Sequence, residues 1–173
     1  MKNTLGSITL ITVLLFAISA IAADKVVVVP LGGSAITTQY YTLPGAVFVG
    51  NSSAGHNATG TISVGAGYTY YAPVILPNHA TLTEFMVYAK NGSTSVPDDV
   101  SLMRFDRDAA APLAIATATV PFDTGSSGPF PAFIAPSITP DVIDNIDYSY
   151  AVVIHSGDGQ LEVSAIRITY TSD

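Results

Sequence analysis

The acidic side chains form the densest group of residues in this sequence that could do chemistry. Asp98 and Asp99 are adjacent, and Asp106 and Asp108 follow the apolar run Val100–Phe105. Carboxylates in loops can bind Ca²⁺, which prefers oxygen ligands in flexible geometry. The D-x-D-x-D-G pattern of an EF-hand is absent, and two neighbouring arginines offer charge pairing as an alternative. The sequence therefore offers Asp98 and Asp99 as a candidate calcium site and indicates no other cofactor.

The remaining ionisable residues do not have the spacing of a catalytic site. The three histidines, His56, His79 and His155, lie far apart, and none has a second ligand at a metal-binding spacing. The only glutamates, Glu84 and Glu162, fall in different strand-like segments, and nothing places them on facing walls of a cleft as a glycosidase requires. No G-x-S-x-G elbow is present. We expect no catalytic residues, and a secreted hydrolase is the weakest of the functional alternatives.

Tyrosines offer a second kind of site, since flat rings can stack against sugars. The chain has nine tyrosines and no tryptophan. Six of them could present flat rings for such stacking: Tyr40, Tyr41, Tyr68, Tyr70, Tyr71 and Tyr88. Tyr68, Tyr70 and Tyr71 lie closest together and are the candidate ligand-binding residues of a carbohydrate-binding module. Because successive strand residues point to opposite faces, about half of the six rings should lie in the core.

The N-terminus predicts export. Lys2 precedes the apolar run Ile8–Ile21, and Ala20-Ile21-Ala22 has the small-x-small pattern of a cleavage site. This layout is typical of a secretory signal peptide, which we place over residues 1–22. The alternative is an uncleaved membrane anchor, but the apolar run is shorter than the roughly 20 residues that a bilayer span needs. We therefore expect a secreted chain, at the cell surface, in the periplasm or outside the cell, with no membrane span after cleavage.

Charge and cysteine content exclude several classes of partner. The formal net charge is −7, and cleavage would remove one of the six basic residues and none of the thirteen acidic ones. Nucleic acid is excluded because binding its phosphates needs clustered Lys and Arg. No cysteine occurs, so thiolate metal sites and cysteine redox chemistry are excluded as well.

The first segment after the cleavage site is strongly strand-forming. Asp24–Leu31 reads DKVVVVPL and is followed by Gly32-Gly33-Ser34, a flexible break. Residues 23–36 are therefore expected to form an N-terminal strand and a break. Two interpretations stay open: the strand packs on its own domain, or Val26, Val27, Val28 and Val29 pair with a neighbouring subunit by strand addition. The second would make the protein self-associate.

Residues 37–173 have the composition of one all-β domain. The stretch Ala72–Asp106 predicts three consecutive antiparallel strands at its centre, because β-branched and aromatic runs are separated by Pro, Asn, Gly and Asp. Leu113–Val120 predicts a strand, with an Ala-rich helix as the alternative. Gly157-Asp158-Gly159 predicts a hairpin turn with positive φ at position 158.

The last of these strands, Leu161–Thr171, predicts strict alternation, with Ala165 on the face of Leu161 and Val163. Eight to ten strands with turns about every ten residues indicate two packed antiparallel sheets, a jelly-roll-like β-sandwich.

Several stretches resemble a known group of proteins. ADKVVVVPLGG (Ala23–Gly33) looks like the mature N-terminus of uncharacterised exported bacterial proteins. YTLPGAVFVGNSSAG, APVILPNHATLTEFMVYAKN and VSLMRFDR are similar to secreted bacterial β-sandwich proteins of unknown function. The resemblance spans most of residues 23–171, and its motifs are structural. It implies a bacterial, exported β-sandwich and carries no active-site residue. The leading hypothesis is a non-catalytic cell-surface, extracellular or assembly component, and a carbohydrate-binding module is the alternative.

Overall fold

The computed structural model describes residues 37–50, 55–56, 59–106, 108, 111–125 and 127–172. The signal peptide predicted over residues 1–22, the segment 23–36 and the valines at 26–29 lie outside the described residues, so those predictions stay predictions. The described strands are β1 (Thr37–Pro44), β2 (Val49–Gly50), β3 (Gly55–His56), β4 (Ile62–Val64), β5 (Thr69–Val74), β6 (Thr81–Asn91), β7 (Asp98–Asp106), β8 (Leu113–Val120), β9 (Ala132–Ile134), β10 (Tyr148–His155) and β11 (Leu161–Ser172). A short 3-10 turn, Gly45–Val47, follows β1.

These strands form two antiparallel sheets. The first, which we call the β11 sheet, has the order β3-β4-β11-β6-β9, and β1 also pairs with β11. The second, the β10 sheet, has the order β2-β5-β10-β7-β8. From β4 to β7 the chain changes sheet at every strand, as a jelly roll does. The predicted β-sandwich is therefore confirmed, and Leu113–Val120 is the strand β8 rather than a helix.

Two local predictions are wrong because the chain alternates between the sheets. The three central strands β5, β6 and β7 exist and follow one another along the chain, but they are not neighbours in one sheet, since β6 belongs to the β11 sheet and both others pair with β10. Gly157-Asp158-Gly159 is not a hairpin turn, because β10 and β11 lie in different sheets and the segment crosses between them. The positive φ is at Gly159, at 82°, and not at Asp158.

The core lies between the sheets and is built from the inward-facing residues of each strand. Phe85 and Ile168 of the β11 sheet face Leu102 and Ile154 of the β10 sheet, and all four are 0% exposed. Burying a side chain of this size stabilises a fold by about 1.5–3 kcal/mol relative to leaving it in water. This dry layer fixes which residues of each strand point outward, and hence which side chains can meet a ligand.

Candidate ligand-binding face

Two β-bulges decide which side chains reach the outer face of the β11 sheet. One register shift lies between Val163 and Ala165 on β11. The strict alternation predicted for this strand is therefore wrong after Val163, since Ile166 is buried and Arg167 points outward. The second shift lies between Thr169 and Tyr170 and is absorbed by one extra residue on β6. A bulge reverses the phase of the residues beyond it.

The bulge on β6 likewise places Glu84 on the outer face of the β11 sheet. Leu82 and Phe85 are both buried although they are an odd number of positions apart, because Thr83 is the extra residue. Glu84 is thereby left on the outer face, directly opposite Thr169 of β11. Thr169 is in turn opposite Tyr40 of β1, so the three residues form a row across three strands.

Side chains on this face make a connected set of contacts. Arg167 Nη2 donates to Glu84 Oε1 at 3.1 Å and approaches Met86 Sδ at 3.4 Å. Thr169 Oγ1 donates to the same Glu84 oxygen at 3.2 Å. The Tyr40 ring centroid lies 5.5 Å from Arg167 Cζ, within the range of a cation–π interaction. We call this set, Tyr40, Glu84, Met86, Arg167 and Thr169, the Tyr40 face.

The Tyr40 face is open to solvent where a ligand could use it. Tyr40 is 42% exposed, and the side chains of Arg167 and Glu84 are 33% and 29% exposed. Because their contacts hold both charged groups in place, hydrogen-bonding groups of fixed position stand beside an accessible ring. Such an arrangement can stack on a flat apolar surface while bonding to hydroxyl groups at its edge.

A loop covers the far end of the same sheet face. Lys90 of β6 is only 5% exposed, and its Nζ donates to the Gly128 carbonyl at 2.5 Å. The same ammonium lies 4.4 Å from the centroid of the Phe130 ring. This end of the β11 sheet is therefore closed, and the accessible part of the face is the end that carries Tyr40.

The three tyrosines predicted as ligand-binding residues do not form one site. Tyr70 is 1% exposed and its ring packs against Gly50, so it belongs to the core and the prediction for it is wrong. Tyr71, 46% exposed, lies on the outer face of the β10 sheet. Tyr68, 41% exposed, precedes β5 and lies against Gly65. The alternation of a strand separates the neighbours Tyr70 and Tyr71.

The predicted calcium site is contradicted by the positions of its two carboxylates. Both residues lie in strand β7, and consecutive strand residues point to opposite faces. Asp98 is buried and accepts hydrogen bonds from the Ser156 hydroxyl at 3.2 Å and the Gly157 amide at 3.0 Å. Asp99 is exposed and accepts one from Thr119 Oγ1 at 2.7 Å. No group of three or more His, Asp and Glu side chains within the described residues could hold a metal ion.

The surroundings of Asp98 shift its pKa. Burial raises the pKa of this carboxyl above its ordinary value of 3.8, and it outweighs the two hydrogen bonds, which favour the charged form. Through its hydrogen bonds with Ser156 and Gly157, Asp98 joins β7 to the segment that crosses from β10 to β11.

Glu84 and Glu162 are too far apart to act on one glycosidic bond. Glu162 is opposite Lys90 on β6, six positions beyond Glu84 in that strand. This corresponds to about 20 Å at roughly 3.3 Å per residue. Paired carboxyl groups in glycosidases are separated by about 5–9.5 Å. Glu84 Oε1 also accepts hydrogen bonds from Arg167 Nη2 and Thr169 Oγ1.

Arg167 and Thr169 are the residues that sequence reasoning missed. The sequence contains a weak signal that these two side chains point outward. From Ile166 to Thr171, polar and apolar residues alternate, and this alternation is out of phase with that of Leu161–Val163. A phase change of this kind within one strand is what a bulge produces.

Comparisons with known proteins bear on the fold. No protein-family model matches the sequence, and no curated protein matches it. Among solved structures, the chain is similar to the C-terminal CBM6, a carbohydrate-binding module, of the marine laminarinase LamC from Zobellia galactanivorans. The TM-score is 0.50 at 13% identity, over 75% of this chain and 98% of that one. A family two carbohydrate esterase from Cellvibrio japonicus aligns with a TM-score of 0.45 at 8% identity, over 79% of this chain and 36% of that one.

Within the described part of the chain, no helix has the length and apolar character needed to cross a bilayer. The fold of the chain is a β-sandwich similar to that of the CBM6 module, and one sheet face carries an exposed tyrosine and an ion pair.

Proposed function

We propose that this protein is an exported, non-catalytic β-sandwich that binds carbohydrate through the Tyr40 face. The observation that carries the proposal is the exposed Tyr40 ring beside the Glu84–Arg167 pair, whose groups are held at fixed positions. The similarity in fold to a carbohydrate-binding module adds support. Export rests on the signal peptide expected from the sequence.

The chemistry of the face favours a neutral glycan. A tyrosine ring can cover the apolar C–H face of a sugar, and the carboxylate and guanidinium can bond to adjacent hydroxyl groups. Arg167 is already paired with Glu84, and the chain has a net charge of −7, so an anionic polysaccharide would be repelled. A non-catalytic role is proposed because Glu84 is engaged and the only other glutamate lies about 20 Å away along the strand.

The size of the stacking contribution can be worked from the exposure of Tyr40. A tyrosine side chain buries about 150–250 Å² when fully covered, and 42% of about 200 Å² is about 80 Å². At about 25 cal/mol per Å², covering this area contributes about 2 kcal/mol. This corresponds to about 30-fold in the dissociation constant.

Affinity electrophoresis in gels containing neutral polysaccharides, followed by calorimetry with oligosaccharides of any polymer that retards the protein, tests the proposal. We expect Tyr40→Ala to weaken binding about 30-fold. Tyr71→Ala is the matched control, because Tyr71 is a similarly exposed tyrosine on the other sheet, and in calorimetry it should bind a short oligosaccharide as the wild type does. No retardation by any neutral polysaccharide, or equal binding by Tyr40→Ala and the wild type, would overturn the proposal.

Self-association through the N-terminal strand is the second candidate function. The observation that favours it is that β1 pairs with β11 on one side and with no other described strand. Edge strands of this kind are sites of strand addition. The experiment is to delete residues 24–31 from the mature chain and to compare the two proteins by sedimentation. An oligomer that dissociates when residues 24–31 are deleted supports strand exchange. If the deleted protein keeps the mass and the stability of the mature chain, strand exchange is ruled out.

A further inference from the structure

The outer face of the β10 sheet is apolar across β2, β5 and β10, and its described residues carry no charge at the centre; toward β8 the row continues into the polar Ser101 and Thr117. Val49, Tyr71 and Val153 lie side by side across β2, β5 and β10. Pro73 and Met103 flank Ala151 in the next row. Ile75, just beyond β5, extends the patch and is 77% exposed, and Val49 is 73% exposed. We call this set, Val49, Tyr71, Pro73, Ile75, Met103 and Val153, the Tyr71 face.

Among the described outward residues, a carboxylate occurs at one end of these rows, where Asp99 is paired in register with His155. At the other end Phe105 is paired with Ser149, and Asp106, the last residue of β7, is opposite Tyr148 in the inward phase. The described outward residues between them include no Asp, Glu, Lys or Arg. A patch of exposed apolar groups bordered by polar residues is typical of an interaction surface.

From this geometry we infer that the Tyr71 face binds a second copy of the same chain, sheet against sheet. The charge distribution selects this occupant. Two copies with a net charge of −7 each repel one another in most orientations, and an uncharged face lets them meet without opposing like charges. A two-fold axis through the face makes each copy supply the same apolar rows.

The area sets the strength of this contact. Five strands about 4.8 Å apart span about 24 Å, and strands of the lengths seen here extend about 22 Å at roughly 3.3 Å per residue. These dimensions describe the whole outer face of the β10 sheet, so a contact over the entire face would bury about 500 Å² per copy, or about 1,000 Å² for the pair. This is at the small end of specific interfaces, where association is weak and reversible. We expect a monomer–dimer equilibrium in the micromolar range.

The dimer would be bivalent, an inference that rests on the proposed carbohydrate binding. The Tyr40 face belongs to the other sheet, so pairing through the Tyr71 face leaves a Tyr40 face exposed on each outer side. Two sites that point away from each other cannot share one short ligand, but they can hold two polysaccharide chains. Such a dimer would cross-link polysaccharide chains, and because its two sites do not engage one chain together it gains no affinity for a single chain.

Analytical ultracentrifugation of the mature chain over about 1–200 μM, a range set by the weak association expected for this area, tests the dimer. The wild type should rise from one to nearly two chain masses, and Tyr71→Lys should stay monomeric. Ile75→Lys is a second variant at a 77% exposed position that cannot disturb folding through the core. Thr94→Lys, in the exposed loop between β6 and β7, adds the same charge elsewhere and should dimerise as the wild type does. A wild type that is monomeric throughout, or a Tyr71→Lys variant that dimerises equally, overturns the inference.

Turbidity with a neutral polysaccharide that binds separates this inference from the proposed function. Tyr71→Lys should bind the polymer without cross-linking it, and Tyr40→Ala should dimerise without binding. If the wild type dimerises but no polysaccharide binds, the dimer stands and carbohydrate binding fails. If Tyr71→Lys loses binding while Tyr40→Ala keeps it, the Tyr71 face is the glycan site and both assignments are overturned. If deletion of residues 24–31 abolishes a dimer that Tyr71→Lys retains, strand exchange replaces the face contact.

Discussion

The Glu84–Arg167 pair should matter little for folding and much for binding. At 3.1 Å, two unit charges attract by about 1.3 kcal/mol in water, where 332/(80 × 3.1) gives the value. Both side chains are about a third exposed, so solvent screens them, and pairs of this kind contribute about 0.2–1 kcal/mol in double-mutant cycles. Arg167 Nε is also buried without a hydrogen-bond partner among the described residues, which further offsets the gain.

Glu84→Gln, Arg167→Met and the double variant form the cycle that measures this contribution. Urea unfolding should give a coupling free energy below about 1 kcal/mol, and 0.5 M NaCl should reduce it. Glycan binding should fall at least about tenfold for each single variant, because a hydrogen bond to a charged group contributes about 1.5–3 kcal/mol. Isothermal titration calorimetry measures this loss.

Asp99→Asn is the matched control, since it removes an exposed carboxylate that also accepts a hydroxyl hydrogen bond, but on the β10 sheet. It should leave glycan binding unchanged. A coupling of about 3 kcal/mol or more in unfolding would show that the pair behaves as a buried salt bridge that holds the sheet together. That result, or glycan binding unaffected by Glu84→Gln and Arg167→Met, would refute the reasoning.

Two further predictions concern stability. The raised pKa of Asp98 means that the folded chain holds this proton more tightly than the unfolded chain, so its contribution is greatest below about pH 3.8 and falls as the pH rises through the folded pKa. Asp98→Asn should therefore gain stability relative to the wild type between pH 3.5 and 7 in urea unfolding, and a constant difference would contradict this. A Cβ at Gly45 would come within 2.7 Å of the Ile62 amide and also contact the Val163 carbonyl. Gly45→Ala should lower the free energy of unfolding by about 1–3 kcal/mol, whereas Ala46→Gly, at an exposed neighbouring position, should change it by less than about 1 kcal/mol.

The sandwich itself was predictable because its signals are local. The runs Leu82–Ala89 and Tyr148–His155 combine strand-forming residues with clear turn boundaries, and the structure has strands over Thr81–Asn91 and Tyr148–His155. Which strands pair depends on contacts between distant parts of the chain. Gly157–Gly159 has the composition of a hairpin turn, but β10 pairs with β5 and β7 in one sheet and β11 pairs with β1, β4 and β6 in the other, so the segment crosses the sandwich instead.

The candidate site was less predictable because it depends on bulges. Strict alternation places Arg167 on the same side as Leu161 and Val163, and a single shift after Val163 moves it to the outer face. Tyr40 is not among the three clustered tyrosines that the sequence favours, and only its position opposite Thr169 places it beside Glu84 and Arg167. Adjacent carboxylates suggested a cation site at Asp98 and Asp99, yet the strand that contains both sends them to opposite faces.

The most direct test of carbohydrate binding at the Tyr40 face is a two-dimensional amide NMR titration of the mature chain with a neutral oligosaccharide. The chemical-shift changes should cluster at Tyr40, Glu84, Arg167 and Thr169 and should saturate with one binding constant. Amides around Tyr71 on the other sheet should not move. Changes centred on Tyr71, or no saturable change with any neutral oligosaccharide, would contradict the assignment.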